Sequence, residues 1–140
     1  MKTRLIMLVC LMMVIATAAF AQGNSKSSAG SQVEVLYFHG PQRCKTCVAL
    51  EKVAKETVAN TFAQQVKSGK VKFREVDLSS KEGEKLADKY EIAWSSLIIV
   101  QNKGGKQKFV DLTDDGFRYA VSQPEKIKAK IISQINAYLK

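Results

Sequence analysis

Residues 38–47, FHGPQRCKTC, set Cys44 and Cys47 three positions apart, between a short apolar run and a long amphipathic one. Two sulfurs at this spacing serve three kinds of chemistry: reversible disulfide exchange, half of a zinc site, or a structural cross-link. Structural zinc takes four ligands, and a Cys-x-x-Cys half-site normally comes with a second pair. Here only His39 is at hand as a third nitrogen or sulfur ligand, so no metal and no cofactor are expected. A cross-link that closes so short a loop removes little chain entropy. Redox exchange fits best. A dithiol that captures a soft metal or a trivalent arsenical is the alternative from a different class, and a non-redox interaction domain with a structural disulfide is a third.

If the amphipathic run is a helix, Cys44 stands at its start, where backbone N–H groups lack partners and the macrodipole is positive. A thiolate is stabilised there, and Arg43, Lys45 and His39 add positive charge, the conditions that lower a thiol's pKa below about 8.5. Cys47 lies one turn further on the same side, placed to attack a mixed disulfide on Cys44. Cys44 is then the nucleophile and Cys47 the resolving thiol. Cationic neighbours favour the thiolate and hence the reduced form, which makes the disulfide a better oxidant.

The start of the chain indicates the compartment. Lys2 and Arg4 precede an apolar run of 16 residues (5–20), and Ala19-Phe20-Ala21 closes it, the pattern of a secretory signal peptide cleaved after Ala21. The run is short of the roughly 20 residues a transmembrane helix needs. Cys10 follows Val9, which is not the small residue a lipoprotein signal has there, and leaves with the signal. Cleavage leaves 119 of the 140 residues, one domain by length. The net charge of +9 falls to about +7 as Lys2 and Arg4 leave. The lysines are dispersed, which reads as a solvated basic surface rather than a nucleic-acid site. Cys44 and Cys47 are then the only cysteines in a periplasmic or secreted protein.

Residues 22–32, QGNSKSSAGSQ, hold no large apolar side chain and read as a flexible linker, leaving residues 33–140 as the domain. Residues 33–38, VEVLYF, read as a buried strand. From residue 44 to 67, Val48, Val53, Ala54, Val58, Phe62 and Val66 recur as one core-facing helical stripe, ending near Ser68-Gly69. Residues 71–78 read as a second strand. Ser79 or Ser80 caps a short helix with Leu86, Ala87 and Tyr90 inward. Residues 95–101 form a third strand, NKGG at 102–105 a hairpin turn, and 106–112 its partner. Residues 113–123 are ambiguous, with a short helix capped at Thr113 or Asp114 as one reading. Pro124 opens a last helix with Ile127, Ile131, Ile135 and Leu139 toward the core. The order β-α-β-α-β-β-α predicts an α/β domain whose alternating strands run parallel, the closing hairpin adding an antiparallel edge.

A strand, a short loop, Cys-x-x-Cys opening a helix, and a later hairpin followed by a helix resemble the thioredoxin superfamily across residues 33–140. The resemblance implies a central mixed four-stranded sheet flanked by helices and thiol–disulfide oxidoreductase activity. More narrowly, YFHGPQRCKTC, VKFREVDLSS and KYEIAWSSL are similar to the nitrophenyl compound nitroreductase subunit ArsF family of exported thioredoxin-like proteins. That resemblance implies a redox subunit of a nitroaromatic reduction system. Its expected partners are a membrane or exported thiol reductant and a redox partner protein, with the processed chain a monomer that neither spans the membrane nor binds nucleic acid.

The departures from the superfamily pattern are specific. Arg43 stands where thioredoxins have Trp, and Lys45-Thr46 where they have Gly-Pro. Their buried Asp has no counterpart near the motif, since Glu34 is too far away. Ser95 or Ser96 takes the cis-proline place before the third core strand. That substitution predicts a trans peptide, a more open groove and a hydroxyl near the sulfurs, which favours the soft-metal alternative. Trp94 flanks that groove or fills the core. Phe117 and Tyr119 read as packing inward more readily than as a lid.

Overall fold

The computed structural model describes residues 32–140. The expected signal peptide (1–21) and nearly all of the expected linker lie outside the described residues. Nine elements follow in order: β1 (Gln32–His39), α1 (Lys45–Thr61), α2 (Ala63–Lys67), β2 (Val71–Asp77), α3 (Lys81–Tyr90), β3 (Ser96–Lys103), β4 (Lys106–Asp111), α4 (Thr113–Tyr119) and α5 (Pro124–Leu139). Gln32, read as the end of the linker, is the first residue of β1 and pairs with Asn102.

The four strands form one sheet in the order β2-β1-β3-β4. β1 and β3 hold the centre and carry side chains into a core on each face, which is why both read as near-continuous apolar runs. On one face Val33, Val35, Tyr37, Leu97 and Ile99 meet α1, α4 and α5. On the other, Leu36, Phe38, Ile98 and Val100 meet Ala87 and Tyr90 of α3. Strand order, connectivity and two-sided helical cover make this a thioredoxin-like fold.

The expected parallel arrangement holds only for β1 and β2. β3 runs antiparallel to β1 inside the sheet, so the antiparallel strand is not confined to the edge. The reason lies at the end of α3. Glu91 takes a left-handed conformation (φ 56°), and the Ile92 N–H reaches back to the Ala87 carbonyl at 2.8 Å, a Schellman-type reversal. The chain re-enters the sheet at the end where β2 left it. The β3–β4 turn follows its glycines: Gly104 and Gly105 both have positive φ, 58° and 74°, as a two-residue type I′ loop requires.

The long helix expected from 44 to 67 is two. It breaks at Phe62 (φ −115°, ψ 29°), which keeps that ring in the core while α2 sets off anew. Val48 is 49% exposed and Val66, in α2 beyond the break, 41%, against the expectation, while Cys47, Leu50, Ala54, Thr57 and Val58 form the buried face of α1. Residues four apart precess by about 40° per step on a helix of 3.6 residues per turn. In α5 that precession keeps Ile127, Ile131 and Ile135 buried and adds Tyr138 to the buried face, with Leu139 partly buried against the same core.

The cap of α3 is Ser80, whose Oγ accepts the Gly83 N–H at 2.9 Å. α4 starts differently from the expected Thr113 or Asp114 cap. Its N-cap is Leu112, and the Asp111 carboxylate accepts the Thr113 N–H at 2.8 Å.

A Cβ built at Gly83 collides with the backbone carbonyl of Asp77, a group that cannot move without breaking the β2–α3 corner. Gly83→Ala is expected to lower the urea midpoint by the equivalent of about 2 kcal/mol or more. Lys85→Ala, at an exposed position of the same helix, is expected to leave it nearly unchanged. Equal midpoints for the two variants would contradict this account of the corner.

Candidate active site

Cys44 and Cys47 lie past the C-terminal end of β1, where the loop 40–43 delivers the chain to α1. They form a disulfide with Cα atoms 5.0 Å apart. Cys44 is the N-cap of α1, in extended conformation (φ −73°, ψ 161°), and its Sγ accepts the Cys47 N–H at 3.1 Å. The cap position that Ser, Thr, Asp or Asn fills with oxygen is filled here by sulfur. No acidic residue stands in the first turn of α1, so no carboxylate competes with that sulfur for the positive end of the helix.

The two cysteines differ in environment. Cys44 is exposed and Cys47 is 6% exposed. The backbone of Cys47 is fixed from below: the Tyr37 hydroxyl donates to the Cys47 carbonyl at 2.8 Å within the core. Burial first, and the Glu51 carboxylate second, push the Tyr37 phenol up to about 12, with Arg43 opposing.

The cations expected around the thiolate are distributed unevenly. Lys45 is an exposed residue in the first turn. His39 is half-buried at the end of β1, with its ring stacked against Tyr37 at 6.4 Å and its Nδ1–H donating to the Gly40 carbonyl at 3.2 Å. Arg43 is not left to the sulfur: its guanidinium is ion-paired with Glu51 at 2.5 Å. One turn further along α1, Lys55 bonds Glu75 of β2 at 2.8 Å. That hydrogen bond is the main reason the Glu75 carboxyl lies below its ordinary pKa.

Ser95 and Ser96 have separate surroundings. Ser96 opens β3 opposite Phe38 and is buried, its hydroxyl donating to the Trp94 carbonyl at 2.9 Å. Its oxygen is thus committed to the local backbone. Ser95 is half-buried and, with Gly40, Pro41, Gln42, Leu78, Ala93 and Trp94, lines a groove of about 330 Å³. No cis peptide occurs among the described residues. Trp94 is 69% exposed, a groove wall and not a core residue. Phe117 and Tyr119 pack against the core beside α5. A larger hollow of about 450 Å³ between α1 and α5 includes neither cysteine in its lining.

Among the described residues no group of three His, Cys, Asp or Glu side chains converges as a metal-binding cluster. None of the described helices is long and apolar enough to cross a membrane. Sequence reasoning did not single out Tyr37 or Glu51. Tyr37 is hidden in an apolar run where its hydroxyl has no visible partner. Glu51 was legible in principle as the residue four after Cys47 on a helix.

No protein-family model matches the chain, and no curated protein matches it. Among solved structures it is similar to a thioredoxin from Thermus thermophilus, at 16% identity over 76% of this chain and 72% of that one (TM-score 0.47). It is also similar to a malarial protein, at 21% identity over 78% of this chain and 99% of that one (TM-score 0.47). A third likeness is to a secreted Mycobacterium tuberculosis disulfide oxidoreductase homologous to E. coli DsbE, at 14% identity over 73% and 81% (TM-score 0.36). Strand order and helix placement define the fold independently of these likenesses.

Tyr37 offers a direct test of the support beneath Cys47. A phenol raised in the folded state keeps its proton between about pH 10 and 12, where the unfolded chain has released it. Its contribution to stability is therefore fully present below pH 10 and lost as pH rises toward 12. In an alkaline absorbance titration one of the four tyrosines is expected to ionise about two units late, and Tyr37→Phe to remove that late step. The same variant is expected to cost about 0.5–1.5 kcal/mol, the net worth of one buried hydrogen bond, since the Cys47 carbonyl keeps its intrahelical donor. A late step that persists in Tyr37→Phe would assign it to another tyrosine.

Proposed function

We propose that this protein is an exported thiol–disulfide oxidoreductase in which Cys44 is the nucleophile and Cys47 the resolving thiol. One observation carries the reading: an exposed sulfur caps a helix N-terminus while its partner sulfur, one turn on, is buried and backbone-anchored. The cap amide and the helix dipole favour negative charge on Cys44, and burial keeps Cys47 away from outside thiols.

In the reduced protein, the Cys44 thiolate attacks a disulfide of the partner, forms a mixed disulfide and expels one partner thiolate. Cys47 then gives up its proton, and its thiolate attacks the Cys44 sulfur. This closes the Cys44–Cys47 disulfide and releases the second partner thiolate. Two electrons have passed to the partner together with the single proton of Cys47; the other partner thiolate takes its proton from water. A thiol reductant in the membrane or in the exported compartment returns them by the reverse exchange. Arg43, Lys45 and His39 tune the thiolate, and the groove along Ser95 receives the partner chain, with the buried Ser96 fixing its wall. No cofactor or metal takes part.

Export rests on the start of the sequence: residues 1–21 act as a signal peptide, 22–31 tether the domain, and the mature protein works in the periplasm or outside the cell as a monomer. The likeness of YFHGPQRCKTC, VKFREVDLSS and KYEIAWSSL to the ArsF family supports a finer reading, the redox subunit of a system that reduces nitrophenyl compounds.

Two outcomes are expected. Cys44 alkylates at least about tenfold faster than Cys47 near neutral pH, and Cys47→Ser accumulates a mixed disulfide with its partner while Cys44→Ser accumulates none. Equal alkylation rates with an unshifted pKa would remove the activated nucleophile. N-terminal sequencing of exported protein is expected to begin at Gln22; material that begins at Met1 would refute processing.

A further inference from the structure

Cys47, Glu51 and Lys55 follow one another at four-residue steps along α1, so a resolving thiol, a carboxylate and an ammonium share one side of the helix. Arg43, the residue before the nucleophile, reaches past the first turn to Glu51, and the two side chains are 32% and 14% exposed. Lys55 does not compete for Glu51, since its hydrogen bond goes to Glu75 of β2. The phenol on the Cys47 carbonyl senses both members of the Arg43–Glu51 pair, in opposite directions. The only guanidinium adjacent in sequence to the nucleophilic sulfur is thus compensated by a carboxylate two turns along the same helix.

We propose that Glu51 is a positioning residue that sets the redox poise of the Cys44–Cys47 pair by holding the Arg43 guanidinium and so withholding its charge from the Cys44 sulfur. The proposal rests on the thiol–disulfide exchange reading above and adds the residue that tunes it. Reduction of the disulfide takes two electrons from a dithiol or two thiols, which become a disulfide. It leaves a thiolate on Cys44 and one proton on Cys47. Whatever stabilises the thiolate draws the equilibrium toward the reduced form. The cap amide and the helix terminus act on the sulfur unopposed, whereas Arg43 acts as half of a nearly neutral pair. Glu51 therefore keeps the disulfide less oxidising than a motif flanked by Arg43 and Lys45 implies from sequence. The other charges at this edge are occupied or constant: Glu75 is held by Lys55, Asp77 accepts from the Ser79 hydroxyl and N–H, and His39 and Lys45 are unchanged in every variant below.

The test compares wild type, Glu51→Gln, Arg43→Gln, the double variant and Glu51→Asp. Two readouts serve: the Cys44 pKa from thiolate absorbance or alkylation rate of the reduced protein, and the equilibrium of the pair with a glutathione buffer. Glu51→Gln is expected to lower the Cys44 pKa and move the equilibrium roughly three- to tenfold toward the dithiol, since a freed charge at a partly exposed site acts in a high effective dielectric. A tenfold move is about 30 mV. In the Arg43→Gln background the same Glu51 change is expected to have less than about a third of that effect, and Glu51→Asp to restore most of the wild-type values. Wild-type values in Glu51→Gln, or an equal shift with and without Arg43, would overturn the proposal. If the wild type exchanged no disulfide with glutathione while the pKa shift appeared and depended on Arg43, the exchange reading would fall. The control of the sulfur by the pair would stand.

Discussion

The hydrogen bond from the Cys47 N–H to the Cys44 sulfur organises the rest of the site. It makes sulfur the first capping acceptor of a 17-residue helix, so the start of α1 and the position of the proposed nucleophile are one structural decision. A cap oxygen would start the helix as well but would carry no redox chemistry. Because the acceptor is itself a disulfide sulfur, the state of the sulfur and the order of the first helical turn are physically linked.

That turn needs a rigid floor, and the sheet supplies it. β1 is covered on both faces, so Tyr37 enters the core on the α1 side with its ring buried and its hydroxyl facing the Cys47 carbonyl. Gly116 allows α4 to approach α1 closely, since a Cβ there would meet the Leu50 side chain at 2.6 Å. Leu50 is fully buried one turn past the motif. The active turn is therefore held from below by a strand and from the side by a short helix, while its sulfur faces outward.

Much of this was legible in the sequence. VEVLYF, SSLIIVQ and NKGG declared two central strands and a tight turn, because two-sided burial and positive φ each leave a compositional mark. The cysteine pair at the start of a helix was equally plain. The helical stripe was overread at its two ends: Val48, next to buried Cys47, and Val66, beyond the break at Phe62, are exposed, while Leu139 packs against the core as expected. The sense of β3 was not legible, since a left-handed Glu91 leaves no signal in a position where glycine is the usual marker. At the site, charge near Cys44 was counted from neighbours in sequence. Pairing of Arg43 with a residue eight positions away follows from helical geometry and shows only when the partner's face is known.

Trp94 is the only tryptophan in the chain, and it stands largely in water on the wall of the groove beside the disulfide loop. Its position makes the protein its own optical probe. An indole in water emits toward the red, and one covered by a docked chain emits toward the blue, with no second tryptophan to obscure the change. Any chain that docked at the groove would thus be readable as a shift in emission colour, separately from any chemistry at the sulfurs.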